Sequence, residues 1–142
     1  MRTMTSKIIM IAGVLTVVLV AGVALAHTFN RTPAISLTGP GTVTGSGNYT
    51  LTGTVSDTET KCFQSVTVTL QSSSTATGTY SNVATTTTDA SGGYTFTRSG
   101  LDKGQTIFYR AVTTGYVAGD PHSSSAHVCN NATSNTVSVS RP

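Results

Sequence analysis

From residue 34 onward the chain alternates apolar and polar positions in short runs. Glycine, proline, serine and aspartate interrupt each run. Ala34 to Thr38 puts Ile35 and Leu37 on one face. Tyr49 to Val55 puts Tyr49, Leu51 and Val55 on one face and Thr50, Thr52 and Thr54 on the other. Ser65 to Gln71 is the cleanest case, with Val66, Val68 and Leu70 pointing one way and Thr67 and Thr69 the other. A period of two over seven residues excludes a helical stripe and predicts a half-buried strand. The pattern resumes around Val83, in Tyr94 and Phe96, in Ile107, Tyr109 and Ala111, and in Val137 and Val139. Thr42 to Thr44 reads as one further short piece.

The breaks carry turn chemistry. Gly39-Pro40-Gly41, Asp89-Ala90-Ser91-Gly92-Gly93 and Gly100-Leu101-Asp102-Lys103-Gly104 supply the residues that tight turns require. The segments 72–78 and 115–131 read as loops. The expectation is an all-β, antiparallel two-sheet Ig-like sandwich of about seven strands over residues 34–142, with no room for helical crossovers. Residues 27–33 read as a flexible lead-in, with Pro33 at the edge of the first strand.

The first 26 residues follow another pattern. Arg2 and Lys7 precede an uncharged apolar run from Ile8 to Leu25, and Ala24-Leu25-Ala26 forms an A-x-A site before His27. That is the layout of a helical secretory signal peptide. The same run is long enough to serve as an uncleaved anchor, with its positive flank inside. Either way the domain is expected outside the cytoplasm, secreted or at the cell surface.

Composition sharpens this reading. Ser and Thr make up about a third of the 142 residues, and only 9% are charged. Thr is β-branched and suits strands, so this composition favours a folded β domain over a disordered tail. The formal charge of +3 includes Arg2 and Lys7; without them six basic residues face five acidic ones, a net +1. No basic run remains to hold a phosphate backbone, so nucleic acid is not an expected partner. Cys62 and Cys129 are the only cysteines, and an even pair in an exported chain predicts a disulfide.

The strand Val66-Thr67-Val68-Thr69-Leu70-Gln71, the hairpin from Val83 through Asp89-Ala90-Ser91-Gly92-Gly93 to Phe96, and Phe108-Tyr109-Arg110-Ala111 together resemble secreted bacterial surface domains. These are the Ig-like, prealbumin-like or carboxypeptidase-regulatory-like sandwiches, and the resemblance covers about residues 49 to 140. It implies a spacer, adhesive or accessory module, with no shared catalytic residues. The chain departs from that pattern in its segment 117–134 and its cysteine pair.

Candidate chemistry is sparse. Asp120, His122 and Ser123 to Ser125 lie too close together in one polar loop for a nucleophilic triad, whose members come from separated elements. Asp57, Glu59 and Asp89 are the acids a calcium site would draw on, but they form no ligand ladder. His27, His122 and His127 are too scattered for zinc. A His27 exposed by cleavage would offer its amine and ring to copper, with His122 or His127 as a further ligand. That is the one physical form an enzyme would take here. No catalytic, cofactor or metal residue is assigned. Asn30, Asn48 and Asn131 each begin an N-glycosylation sequon. The expected function is a non-catalytic module for adhesion, structural or protein-binding roles at the cell envelope, acting through a sheet edge or loops 72–78 and 117–133. The alternative is a small secreted ligand-binding or enzyme-inhibitor protein. A sugar site would need exposed aromatic rings, and only Tyr80 and Tyr116 qualify.

Overall fold

The computed structural model describes residues 29–119 and 126–142. The strands in chain order are β1 (Phe29–Arg31), β2 (Ala34–Thr38), β3 (Tyr49–Ser56), β4 (Thr67–Ser73), β5 (Ser81–Thr87), β6 (Gly93–Arg98), β7 (Gln105–Thr113), β8 (Tyr116–Ala118), β9 (His127–Cys129), β10 (Ala132–Thr133) and β11 (Val137–Arg141). Among the described residues the helical content is one 3-10 turn, Thr60–Cys62. The apolar segment and the cleavage site before His27 lie outside the described residues.

Two antiparallel sheets form the sandwich. One has the order β2-β3-β6 and the other β5-β4-β7-β11, with β10 beside β11 along the same flank of β7. The alternation explains the packing. Leu37, Leu51, Val55 and Phe96 of the first sheet meet Val68, Leu70, Tyr109, Ala111 and Val139 of the second, and all are buried. Each Leu, Val or Phe side chain taken from water contributes roughly 1.5–3 kcal/mol before entropy is counted. The opposite faces are hydroxylated. Ser36 and Thr38 on β2, Thr50, Thr52 and Thr54 on β3, and Thr95 and Thr97 on β6 are exposed.

Gly53 sits mid-strand among inward-facing residues for a steric reason. A Cβ there would collide with the Ser36 carbonyl oxygen and the Tyr94 ring. The gap lets the Tyr94 hydroxyl cross and donate to the Ser36 carbonyl.

β2 does not end its work at Thr38. After Gly39 and Pro40 the chain crosses to the other sheet, where Thr42 bridges Ser140 in parallel. Val43 N donates to Ser140 O at 2.9 Å, and Ser140 N donates to Gly41 O at 2.9 Å. Asn135, in the break between β10 and β11, reaches across to β2. Its amide donates to Leu37 O at 2.8 Å, and its carbonyl oxygen accepts from Leu37 N at 3.0 Å. One side-chain amide thus stands in for a strand partner along this flank of the sandwich.

The structure departs from the sequence reading in three places. Residues read as a lead-in contain β1, and residues read as an irregular loop contain β8 and β9; the three form a small separate sheet, β1-β9-β8. β1 runs parallel to β9, so pairing is not antiparallel throughout. Strands of three residues show no usable periodicity, which is why alternation misses them. The loop read as 72–78 is shifted. Ser72 and Ser73 continue β4, opposite Tyr109 and Phe108 of β7, so the β4–β5 connection covers 74–80.

Candidate functional site

The small sheet gathers most of the chemistry-bearing residues at one end of the sandwich. Beneath it lies the connection from β3 to β4. Asp57 opens that connection by accepting from Glu59 N at 2.9 Å, and Glu59 then accepts from Lys61 N at 3.3 Å, which starts the 3-10 turn. The turn delivers Cys62 to Cys129 on β9, and the two form a disulfide with Cα atoms 5.5 Å apart. Both cysteines are fully buried. The spacing lies within the ordinary disulfide range. The bond closes a separation of 67 residues, worth about 4 kcal/mol in the chain-entropy account.

Polar contacts reinforce the covalent one. Tyr116 donates to the Lys61 carbonyl. Burial, and then the nearby Asp57 charge, push the Tyr116 hydroxyl pKa up. His127 Nε2 lies 3.3 Å from Glu59, and Arg31 lies 4.0 Å from Asp57. Phe29 stacks on His127 with centroids 5.6 Å apart. Asn130 N donates to Arg31 O at 2.7 Å, and the Asn130 amide donates to Thr32 Oγ1 at 3.0 Å. The carboxylates of Asp57 and Glu59 are therefore occupied by their own turn, by Arg31 and by His127.

Thr88 locks the third connection, between β5 and β6, to this end. Its buried hydroxyl accepts from Val66 N at 2.8 Å and donates to Phe63 O at 2.6 Å. Asp89 then builds the hairpin turn. One carboxylate oxygen accepts from Ser91 N at 2.8 Å and from Gly93 N at 2.9 Å. The Gly93 amide, then that of Ser91, holds the Asp89 pKa below the usual carboxylate value. Gly92 adopts φ +82°, and a Cβ there would strike the Val55 carbonyl oxygen. Asp89 thus acts on its own turn, on a different connection from Asp57 and Glu59.

Beyond the pair Val68 and Thr113 the ladder between β4 and β7 ends. A cleft of about 360 Å³ lies there, lined by Ser65, Val66, Thr67, Thr114, Gly115 and Tyr116. Ser65 enters β4 at φ +54°, a left-handed conformation that costs a non-glycine residue energy. A second shallow depression of about 410 Å³ at the opposite end includes Val43, Gly45 and Tyr49.

The remaining candidates separate. Tyr80 sits on the outer face of the larger sheet. The Arg110 guanidinium covers its ring at 4.2 Å, and Gln71 holds that guanidinium at 2.8 Å. One face of the ring is thus taken, and Tyr116 is tied to Lys61, so neither offers the open platform a sugar needs. Asn30, Asn48 and Asn131 are all exposed. His27, Asp120, His122 and Ser123 to Ser125 lie outside the described residues. Among the described residues no three His, Cys, Asp or Glu side chains cluster for a metal. Sequence reasoning missed Thr88, Asn135 and Arg31. Thr88 carries a weak signal, as the last hydroxyl of Thr85 to Thr88 directly before the Asp89 turn.

No protein-family model matches the chain, and no curated protein matches it.

Proposed function

We propose that the chain is exported and acts as a non-catalytic Ig-like module, secreted or held at the cell surface, which contacts a protein or envelope partner through its disulfide-tied end. The observation that carries this reading is the buried Cys62–Cys129 bond joining two connections of an all-β sandwich. Such bonds persist in oxidising compartments. The signal-like segment before His27 gives the same address from the sequence. Three strands facing four, with the crossing of residues 41–43 onto β11, support an Ig-like topology.

A structural role is supported by how the polar groups are used. Glu59, Asp57, His127 and Tyr116 hold connections together. The cleft beside Tyr116 and the exposed Val117 give this end its contact features.

Intact mass of the native protein from secreted, envelope and cytoplasmic fractions tests the reading. The expected result is an extracytoplasmic species lighter by two hydrogens before reduction than after. A fully reduced species found only in the cytoplasm overturns it.

A further inference from the structure

The register fixes where the described chain enters and leaves the sandwich. Phe29 lies opposite His127, near Cys129 and beyond the Thr113 end of β7. Arg141 lies opposite Gln105, where β7 begins. The nine residues of β7 separate these points by roughly 30 Å at the usual strand rise. The two ends therefore sit at opposite poles.

Between the poles, segments 37–43 and 135–140 run side by side in the same direction. Leu37 meets Asn135, and Thr42 meets Ser140, at one constant offset along both segments. Five hydrogen bonds join them: the two exchanged between Leu37 and the Asn135 amide, the two between the Ser140 backbone and the Gly41–Val43 backbone, and one from the Ser140 hydroxyl to Gly41 O at 3.3 Å. Tension between the poles drags the first segment towards the disulfide end and the second away from it. Parallel segments pulled in opposite senses load these bonds together, in shear. An antiparallel hairpin pulled at its open end would release its bonds one at a time.

The disulfide adds a second property. β4 to β8 lie between Cys62 and Cys129 in sequence, inside the covalent loop. When the terminal segments give way, force passes through the sulfurs and bypasses those strands.

We propose that this sandwich bears tension along its chain, with segments 37–43 and 135–140 as a shear clamp and Cys62–Cys129 as a stop on its extension. The inference rests on the surface-module reading, because only a chain held at both ends is pulled. Fractionation tests that reading alone; the mechanical test below does not depend on where the protein resides.

The test is single-molecule pulling of the full chain in mild detergent, with handles ahead of Met1 and behind Pro142. A second geometry pulls between Thr77 and Pro142, which lie at the same pole and unzip the strands. The expected unfolding force is several-fold higher from end to end than from Thr77. Asn135→Ala lowers the end-to-end force and leaves the Thr77 force unchanged. Reduction of the disulfide lengthens the released chain by roughly 220–240 Å, from about 3.3–3.6 Å for each of the 67 residues. Equal forces in the two geometries overturn the clamp, as does an Asn135→Ala variant that weakens both alike. A released length unchanged by reduction overturns the stop.

Discussion

The two ends of this sandwich hold their connections by different means. At the disulfide end, three connections and β1 are tied by a covalent bond, the Arg31–Asp57 and His127–Glu59 contacts and the buried Thr88 hydroxyl. At the other end the closing contacts are hydrogen bonds. Tyr49 and Tyr109 share a buried hydroxyl hydrogen bond of 2.6 Å, and Arg141 donates to Leu101 O at 3.0 Å. One end resists separation even in the unfolded chain, while the other depends on packing and individual hydrogen bonds. The ends are therefore expected to respond differently to reduction, to loss of a hydroxyl and to acid.

Removing the covalent tie should have the largest effect. Cys62→Ala with Cys129→Ala is expected to cost about 4 kcal/mol of unfolding free energy in urea titration, in line with the loop it opens. A loss below about 1 kcal/mol would mean the side-chain contacts and Thr88 suffice to hold that end.

Thr88→Val comes next. It leaves Val66 N and Phe63 O without their partner at a buried position, at a cost of about 1–3 kcal/mol. Amide exchange should quicken in the β3–β4 connection before it quickens at Tyr49. At the opposite end, Tyr109→Phe strands the Tyr49 hydroxyl and should cost about 1–2 kcal/mol, with exchange quickening first near Tyr49. Equal protection changes at both ends in either variant would erase the contrast.

Acid separates the ends most finely. The Asp89 pKa is lowered in the folded protein, so its contribution is present above the ordinary value of 3.8 and is lost as pH falls through the lower folded value. Burial raises the Tyr49 and Tyr94 hydroxyls, so their neutral forms favour folding below pH 10.0, and that contribution is lost as pH rises beyond it. Acid should loosen the Asp89 hairpin first, whereas alkali acts at both ends, through Tyr49 at one and through Tyr94 and Tyr116 at the other. Asp89→Asn should flatten the acid limb of a thermal-melting series and leave the alkaline limb in place.

The central strands were legible because burial on one face writes itself as alternation. Leu51, Val68, Tyr109 and Val139 were all placed inward from spacing alone, and all are buried. The small sheet was not legible. Phe29 to Arg31 and His127 to Cys129 are too short to show a period, and their pairing joins residues about a hundred positions apart. Asn135 was invisible for another reason. Its role is a side-chain amide imitating a peptide group, and no neighbouring residue type announces that. Gly53 interrupts a well-formed alternation, and only the Tyr94 hydroxyl crossing above it gives the interruption a cause. At the disulfide end the cysteine pair was readable from its count, whereas the neighbours that enclose it follow from the three-dimensional path.

The hydroxylated outer face of β2, β3 and β6 has a consequence in solution. Ser36, Thr38, Thr50, Thr52, Thr54, Thr95 and Thr97 cover it without a formal charge. Such a face has little charge of its own for dissolved ions to screen. Its colloidal behaviour should change little between fresh water and brine, because hydration of neutral hydroxyls, not ionic repulsion, keeps neighbouring molecules apart.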